Sequence, residues 1–183
     1  YPVAPTMVAF SSAVGAGAYT TGGRNGTIYR ITNLNDSGAG SFRDAVSAPN
    51  RYIISDVSGT IELTSSLFIS QNNITVAGQS APKGGLTVTG SPVFIQNIDN
   101  AIIQHIRFRP NYVTAGTVDA LNGANCTNMI IDHVSASWGG DEAFSITSNS
   151  FNITITNSIL GESKTGMLAG DSDNPTSTDF SLV

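Results

Sequence analysis

The chain has 183 residues, with 8 Lys and Arg against 13 Asp and Glu and a formal net charge of -5. That balance excludes an extended phosphate-binding surface, and with it a nucleic-acid partner. The length suits one domain with a buried core, and no run of about 20 apolar residues exists to span a membrane.

Charged residues make up only 11%, well under the roughly 25% usual in soluble domains. Abundant Ser, Thr, Asn and Gly point instead to a β-rich, secreted protein wetted by hydroxyls and amides. The opening Tyr1-Pro-Val-Ala-Pro has neither an initiator Met nor a basic leader, which fits a mature chain whose signal peptide has been removed. Asn-x-Ser/Thr sequons at Asn25, Asn35, Asn73, Asn125 and Asn152 are glycosylation candidates or chance matches in a chain of this composition. Cys126 is the single cysteine, so no internal disulfide exists and a buried, inert thiol is expected.

In chain order, residues 1 to 40 read as extended segments and turns, broken by Gly15, Gly17, Gly22, Gly23 and Gly26. Thr27 to Thr32 alternates and predicts a strand. Ser41 to Ser47 begins with a capping box, Ser41 and Asp44, and places Phe42, Ala45 and Val46 on one face of a short helix. From Tyr52 onward the chain changes to short apolar runs separated by Gly, Asn and Ser.

Four of those runs superimpose: Asn73-Ile-Thr-Val, Asn100-Ala-Ile-Ile, Asn128-Met-Ile-Ile and Asn152-Ile-Thr-Ile. Subtracting positions gives intervals of 27, 28 and 24, and a fifth copy at Asp179-Phe-Ser-Leu follows after 27. Each period holds two or three Ile-, Val- and Thr-rich runs and no 3.6-residue pattern, which predicts one coil of a parallel β-helix per period. The Asn residues should stack at a bend, with Ile74, Ile102, Ile130 and Ile153 forming one inward-pointing column. The expectation is a single β-helix domain over 1–183, capped at its start by the short helix. Its C-terminal coils and cap are expected to be missing, so that the last coil is open to self-association.

Function in such a solenoid belongs to side chains that project outward. Asp119, Asp132, Asp141 and Glu142 fall within one coil and Lys164 near the matching place one coil later. Stacked coils lie about 4.8 Å apart, so these acids can converge on Ca2+, which takes six to eight oxygens; a solvated acidic face is the alternative. His105, Arg107 and Arg109 alternate with Ile106 and Phe108. Such a row suits a polyanionic sugar, or salt bridges to neighbouring coils. His133 reads as structural, and Trp138 as either a sugar-stacking platform or loop packing.

Longer stretches carry a family likeness. They are Thr32-Asn-Leu-Asn-Asp-Ser-Gly-Ala-Gly-Ser-Phe-Arg-Asp-Ala-Val, Val57-Ser-Gly-Thr-Ile, Asn73-Ile-Thr-Val-Ala-Gly-Gln-Ser-Ala-Pro, Ile106-Arg-Phe-Arg, Asp119-Ala-Leu, Ile130-Ile-Asp-His-Val-Ser-Ala-Ser-Trp, Asp141-Glu-Ala-Phe-Ser and Glu162-Ser-Lys-Thr-Gly-Met. In this order the chain resembles the pectate lyase superfamily of secreted, right-handed parallel β-helices. The resemblance implies cleavage of a uronic-acid polysaccharide such as pectate by Ca2+-assisted β-elimination. It matches Asp119 and Asp141 to calcium ligands and Lys164 to the lysine that binds the substrate. Ser145 stands where a further acid is common, with Glu142 beside the site as a substitute. The family's catalytic arginine comes from an Arg-x-Pro-x-x-Arg segment on the coil after Lys164, so the base is expected beyond Val183. Arg107 and Arg109 do not match that segment; with Trp138 they remain candidates for holding the acidic sugar. A non-catalytic β-helix that stacks end to end into a filament, and a polysaccharide-binding module, are the competing readings.

Overall fold

The computed structural model describes residues 7–111 and 117–170; the fifth copy at Asp179 lies outside them. The strands are β1 (Thr27–Ile31), β2 (Arg51–Ser55), β3 (Gly59–Leu63), β4 (Leu67–Ile69), β5 (Ile74–Ala77), β6 (Leu86–Gly90), β7 (Val93–Gln104), β8 (Ile106–Pro110), β9 (Leu121–Asp132), β10 (Ser135–Ser137), β11 (Glu142–Thr147), β12 (Phe151–Thr156), β13 (Ile159–Gly161) and β14 (Thr165–Ala169). All their pairings are parallel, each to a strand one coil away. The result is a right-handed parallel β-helix with three faces. One face holds β1, β2, β5, the second halves of β7 and β9, and β12; the next holds β3, β6, β8, β10 and β13; the third holds β4, the first halves of β7 and β9, β11 and β14.

Alternating apolar residues make each face half-buried. In β8, for example, Ile106 and Phe108 are fully buried between partly exposed Arg107 and Arg109. The 3.6-residue pattern appears only where the sequence predicts it. Helix α1 (Phe42–Ala45) starts at Ser41, whose hydroxyl accepts from the Asp44 amide at 3.1 Å, and buries Phe42, Ala45 and Val46 against the first coil. Asp44 does not close the box; its carboxylate accepts instead from the Tyr29 hydroxyl of β1.

The asparagine repeat sets the corner before the first face. Asn50, Asn73, Asn100, Asn128 and Asn152 precede register partners Arg51, Ile74, Ala101, Met129 and Ile153, and all five have φ between 50° and 66°. Asn tolerates this left-handed turn better than most residues, and its amide bonds to the next rung: Asn73 donates to Asn50 at 3.0 Å, Asn100 to Asn73 at 2.7 Å and Asn152 to Asn128 at 3.1 Å. The isoleucines do not form the single column expected. Ile74 and Ile153 line up with Ala101 and Met129, whereas Ile102 and Ile130 line up with Thr75 and Thr154, one residue further on. In a strand one residue is the opposite side, so these two point away from the solenoid axis.

They are nevertheless buried, Ile102 to 4% exposure, because the segment from Gly15 to Gly26 runs back along this face and covers them. Gly17 N donates to Thr154, Gly23 N to Thr75, and Thr21 N and Gly22 N both to Asn100 Oδ1, at 2.8 to 2.9 Å. A Cβ at Gly17 would lie 2.4 Å from the Met129 carbonyl oxygen and one at Gly23 1.9 Å from that of Arg51. Those glycines are therefore the condition for a tight strap, not merely element breakers. Inside the coils, Phe42, Phe108 and Phe144 fill one continuous core. Cys126 lies in it, its thiol pushed up to about 11 by burial, which is the inert state expected.

Candidate functional site

The third face carries an oxygen-rich cluster. Asp119 lies two residues before β9 and Glu142 opens β11 one coil later; the backbone of Ala120 donates to the Glu142 carbonyl at 3.0 Å, locking the two levels together. Asp119 is 7% exposed. Its carboxylate accepts from the Glu142 amide at 3.2 Å, from Asn122 Nδ2 at 3.0 Å and from the Ser145 hydroxyl. Asn122 also donates to Ser145 Oγ at 2.9 Å.

Two carboxylates compete for this space. The Glu142 carboxyl is raised above the usual range first by its hydrogen bond with Asp119 and then by partial burial, with the charges of Asp119 and Asp141 adding to the effect and a hydrogen bond from Thr165 opposing it. A proton is the smallest cation that relieves such a pair. A set made wholly of oxygen donors is also what a hard divalent cation prefers, so these residues fit Ca2+.

The four ligands expected from the sequence are brought to one edge but do not form one shell. Asp119, Glu142 and Ser145 touch, whereas Asp141 turns out to Lys164, whose ammonium lies 3.3 Å from its carboxylate. Ser145, 1% exposed, spends its hydroxyl on Asp119. Asn122 was legible only through register: it pairs with Ser145, 23 residues on, in the same outward row as Phe94 and Phe68.

The candidate cations for substrate sit elsewhere. Arg107 and Arg109 belong to β8 on the adjoining face, not to the acid face. Arg107 is tied to Thr87 at 2.9 Å and to the Gly84 carbonyl. Arg109 donates to the carbonyls of Phe108 and Ser135, both at 2.8 Å, and sits 5.7 Å from the Trp138 ring centre. Burial, then the Arg107 charge, lowers its pKa, and Glu162 counters them. Trp138, held to Glu162 by its indole N–H at 2.9 Å, is half-exposed at the start of the turn leading to Asp141 and borders the acid edge. His105 is not in the β8 row at all. It occupies a left-handed corner with φ 52°, and its ring stacks on that of His133 at 4.5 Å.

No family model matches the chain. Over 156 residues, 85% of its length, it is 47% identical to "Probable pectate lyase C" of Aspergillus oryzae and to the protein of the same name from Aspergillus fumigatus. Over that stretch the chain is similar to the pectate lyase superfamily. A plant member, "Probable pectate lyase 6" of Arabidopsis thaliana, is 31% identical over 86% of the chain. The chain spans 37% of the length of the Aspergillus members and 39% of the Arabidopsis one. Two solved structures share the fold. The major allergen from cedar pollen superimposes with a TM-score of 0.72 at 23% identity, covering 89% of this chain and 53% of the allergen. A pectate lyase from Bacillus sp. N165, solved in complex with trigalacturonate, gives 0.51 at 18% identity over 88% of this chain and 56% of the enzyme.

Proposed function

We propose that this chain carries the calcium- and substrate-binding part of a secreted, pectate-lyase-like polysaccharide lyase that cleaves a uronic-acid polysaccharide by β-elimination. The observation that carries the proposal is the buried Asp119 carboxylate bonded to Ser145 and Asn122 and set against Glu142. The Asp141–Lys164 pair lies at the same edge. Asp119 and Glu142 would hold Ca2+ together with Asp141 once it turns from Lys164, with Ser145 and Asn122 orienting Asp119. There Ca2+ would supply Lewis-acid polarisation of a substrate carboxylate, which would make the proton on the adjacent sugar carbon more acidic. Lys164, the exposed cation beside Asp141, would bind the substrate carboxylate or glycosidic region, and Trp138 would bound the groove. Arg107 and Arg109 are engaged on another face, so neither would serve as the base that takes the proton. The outer coil, where Ile159 is 70% and Met167 43% exposed, would be the surface of self-association.

The test uses the full-length protein with polygalacturonate and Ca2+, following the ultraviolet absorbance of unsaturated product. Absorbance should rise, and Asp119→Asn should remove both that rise and calorimetric Ca2+ binding. A folded full-length protein that binds polygalacturonate without turnover would replace the lyase reading with that of a binding module.

A further inference from the structure

We propose that His105, Asp132 and His133 form a second metal site, for a first-row transition ion such as Zn2+. It lies on a different corner of the solenoid from the acid cluster. Among the described residues, these three are the group of His, Cys, Asp or Glu whose ligand atoms all lie within 4.8 Å of one another.

The repeat builds the arrangement. His105 and His133 each follow a ladder asparagine by five residues, Asn100 and Asn128. The register Ala77, Gln104, Asp132, Thr156 then brings Gly78, His105, His133 and Asn157 to the same corner of successive coils. The left-handed backbone at both histidines, φ 52° and 53°, fixes where the two imidazoles leave the chain. Their rings lie 4.5 Å apart and within 15° of parallel.

Asp132 supplies the third group. It is 2% exposed, and its carboxylate accepts from His133 Nδ1 at 2.9 Å, Asn157 Nδ2 at 2.9 Å and Gln104 Nε2 at 3.0 Å. Gln104 is itself held by Gln79 at 3.2 Å. The two amides that fix this carboxylate are the outer support that a metal-binding carboxylate needs.

Zn2+ binds nitrogen at about 2.0–2.1 Å in a tetrahedron, so two ligand atoms sharing it must stand closer than the rings now do. The His133 side chain is 48% exposed, which leaves it room to turn toward a shared ion. Solvent on the open side supplies the remaining position. Two imidazoles and a carboxylate favour Zn2+, Ni2+ or Cu2+ over Ca2+, whereas the all-oxygen cluster on the third face has the opposite preference. The two sites are therefore separable by metal.

The experiment is a calorimetric titration of the metal-stripped protein with ZnCl2, in excess Ca2+, paired with NMR of the imidazole resonances. One Zn2+ should bind per chain and shift the resonances of both histidines. His105→Asn and His133→Asn keep a residue that this corner already takes at Asn157; thermal unfolding without metal checks that they fold. Each should weaken binding by more than about tenfold, the double variant should abolish it, and Gln104→Ala should cost about 10- to 100-fold by freeing Asp132. Asp119→Asn should leave Zn2+ affinity unchanged. No saturable heat with the parent protein, or an undiminished affinity in the double histidine variant, would overturn the proposal.

Discussion

Single side chains of this solenoid answer to pH in opposite directions. The Glu142 carboxyl is raised, chiefly by its hydrogen bond with Asp119, so the folded chain holds that proton more tightly than the unfolded one. Without a cation, the stabilisation is complete below the ordinary glutamate range and is lost as pH rises through the raised value. Ca2+ bound as proposed would displace the same proton. Its affinity should climb with pH across that window, and calorimetry on Glu142→Gln should show a flatter dependence. At the opposite corner, burial lowers the pKa of His105, reinforced by the His133 charge. For Asp132, burial pushes up, but hydrogen bonds from Asn157, His133 and Gln104 outweigh it and the net shift is down. For both, the unfolded state takes up the proton first, so that corner loses stability as pH falls below the ordinary histidine and then aspartate ranges. The sequons divide as well. Asn73, Asn125 and Asn152 use their amide nitrogens as donors to Asn50, Asn97 and Asn128, and a glycan there would replace an N–H of the ladder. Asn25 and Asn35 are exposed and outside the ladders, so peptide mass spectrometry of secreted protein should find glycan at those two alone.

At the scale of elements, the strap from Gly15 to Gly26 and the asparagine corner stabilise each other. Asn100 is their junction, accepting from Thr21 and Gly22 while donating to Asn73. Asn100→Ala should cost about 1 kcal/mol in denaturant unfolding, the net loss expected for hydrogen bonds to partly buried partners. Asn100→Gly keeps the φ of 66° accessible and separates backbone strain from the lost amide. If the two variants unfold alike, the side-chain bonds are responsible. Alanine at Gly23 meets the Arg51 carbonyl at 1.9 Å, so it should release the strap and open residues 15–26 to proteolysis while the coils stay folded.

Across the whole molecule one apolar column runs through successive coils, from Phe42 under the first to Phe144 near the last. Phe108, at 0% exposure on the second face, touches this column midway. Phe108→Ala should destabilise by about 3–5 kcal/mol, read from the denaturant midpoint. The far end differs. Ile159, Met167 and Phe151 are exposed there, and the proposed self-association would bury them. Sedimentation of this 183-residue chain should show species above the 19.0 kDa monomer, and Ile159→Lys should return it to monomer.

Much of this was legible before any coordinate. The intervals between Asn73, Asn100, Asn128 and Asn152 determined the coil, because a left-handed corner that bonds to its own copy recurs wherever the chain turns. Ser41 with Phe42, Ala45 and Val46 likewise announced the cap. Tertiary structure decided what periodicity cannot carry. Which side of a strand faces inward turns on a one-residue offset, and that offset put Ile102 and Ile130 under a strap instead of in the core. The bend of each coil into separate faces put Arg107 and Arg109, on β8, away from the acid face. Groups from successive coils meet only through register, so the Asp119–Ser145–Asn122 contact, the turning of Asp141 to Lys164 and the stacking of His105 on His133 depend on distances between segments that the sequence keeps more than 20 residues apart.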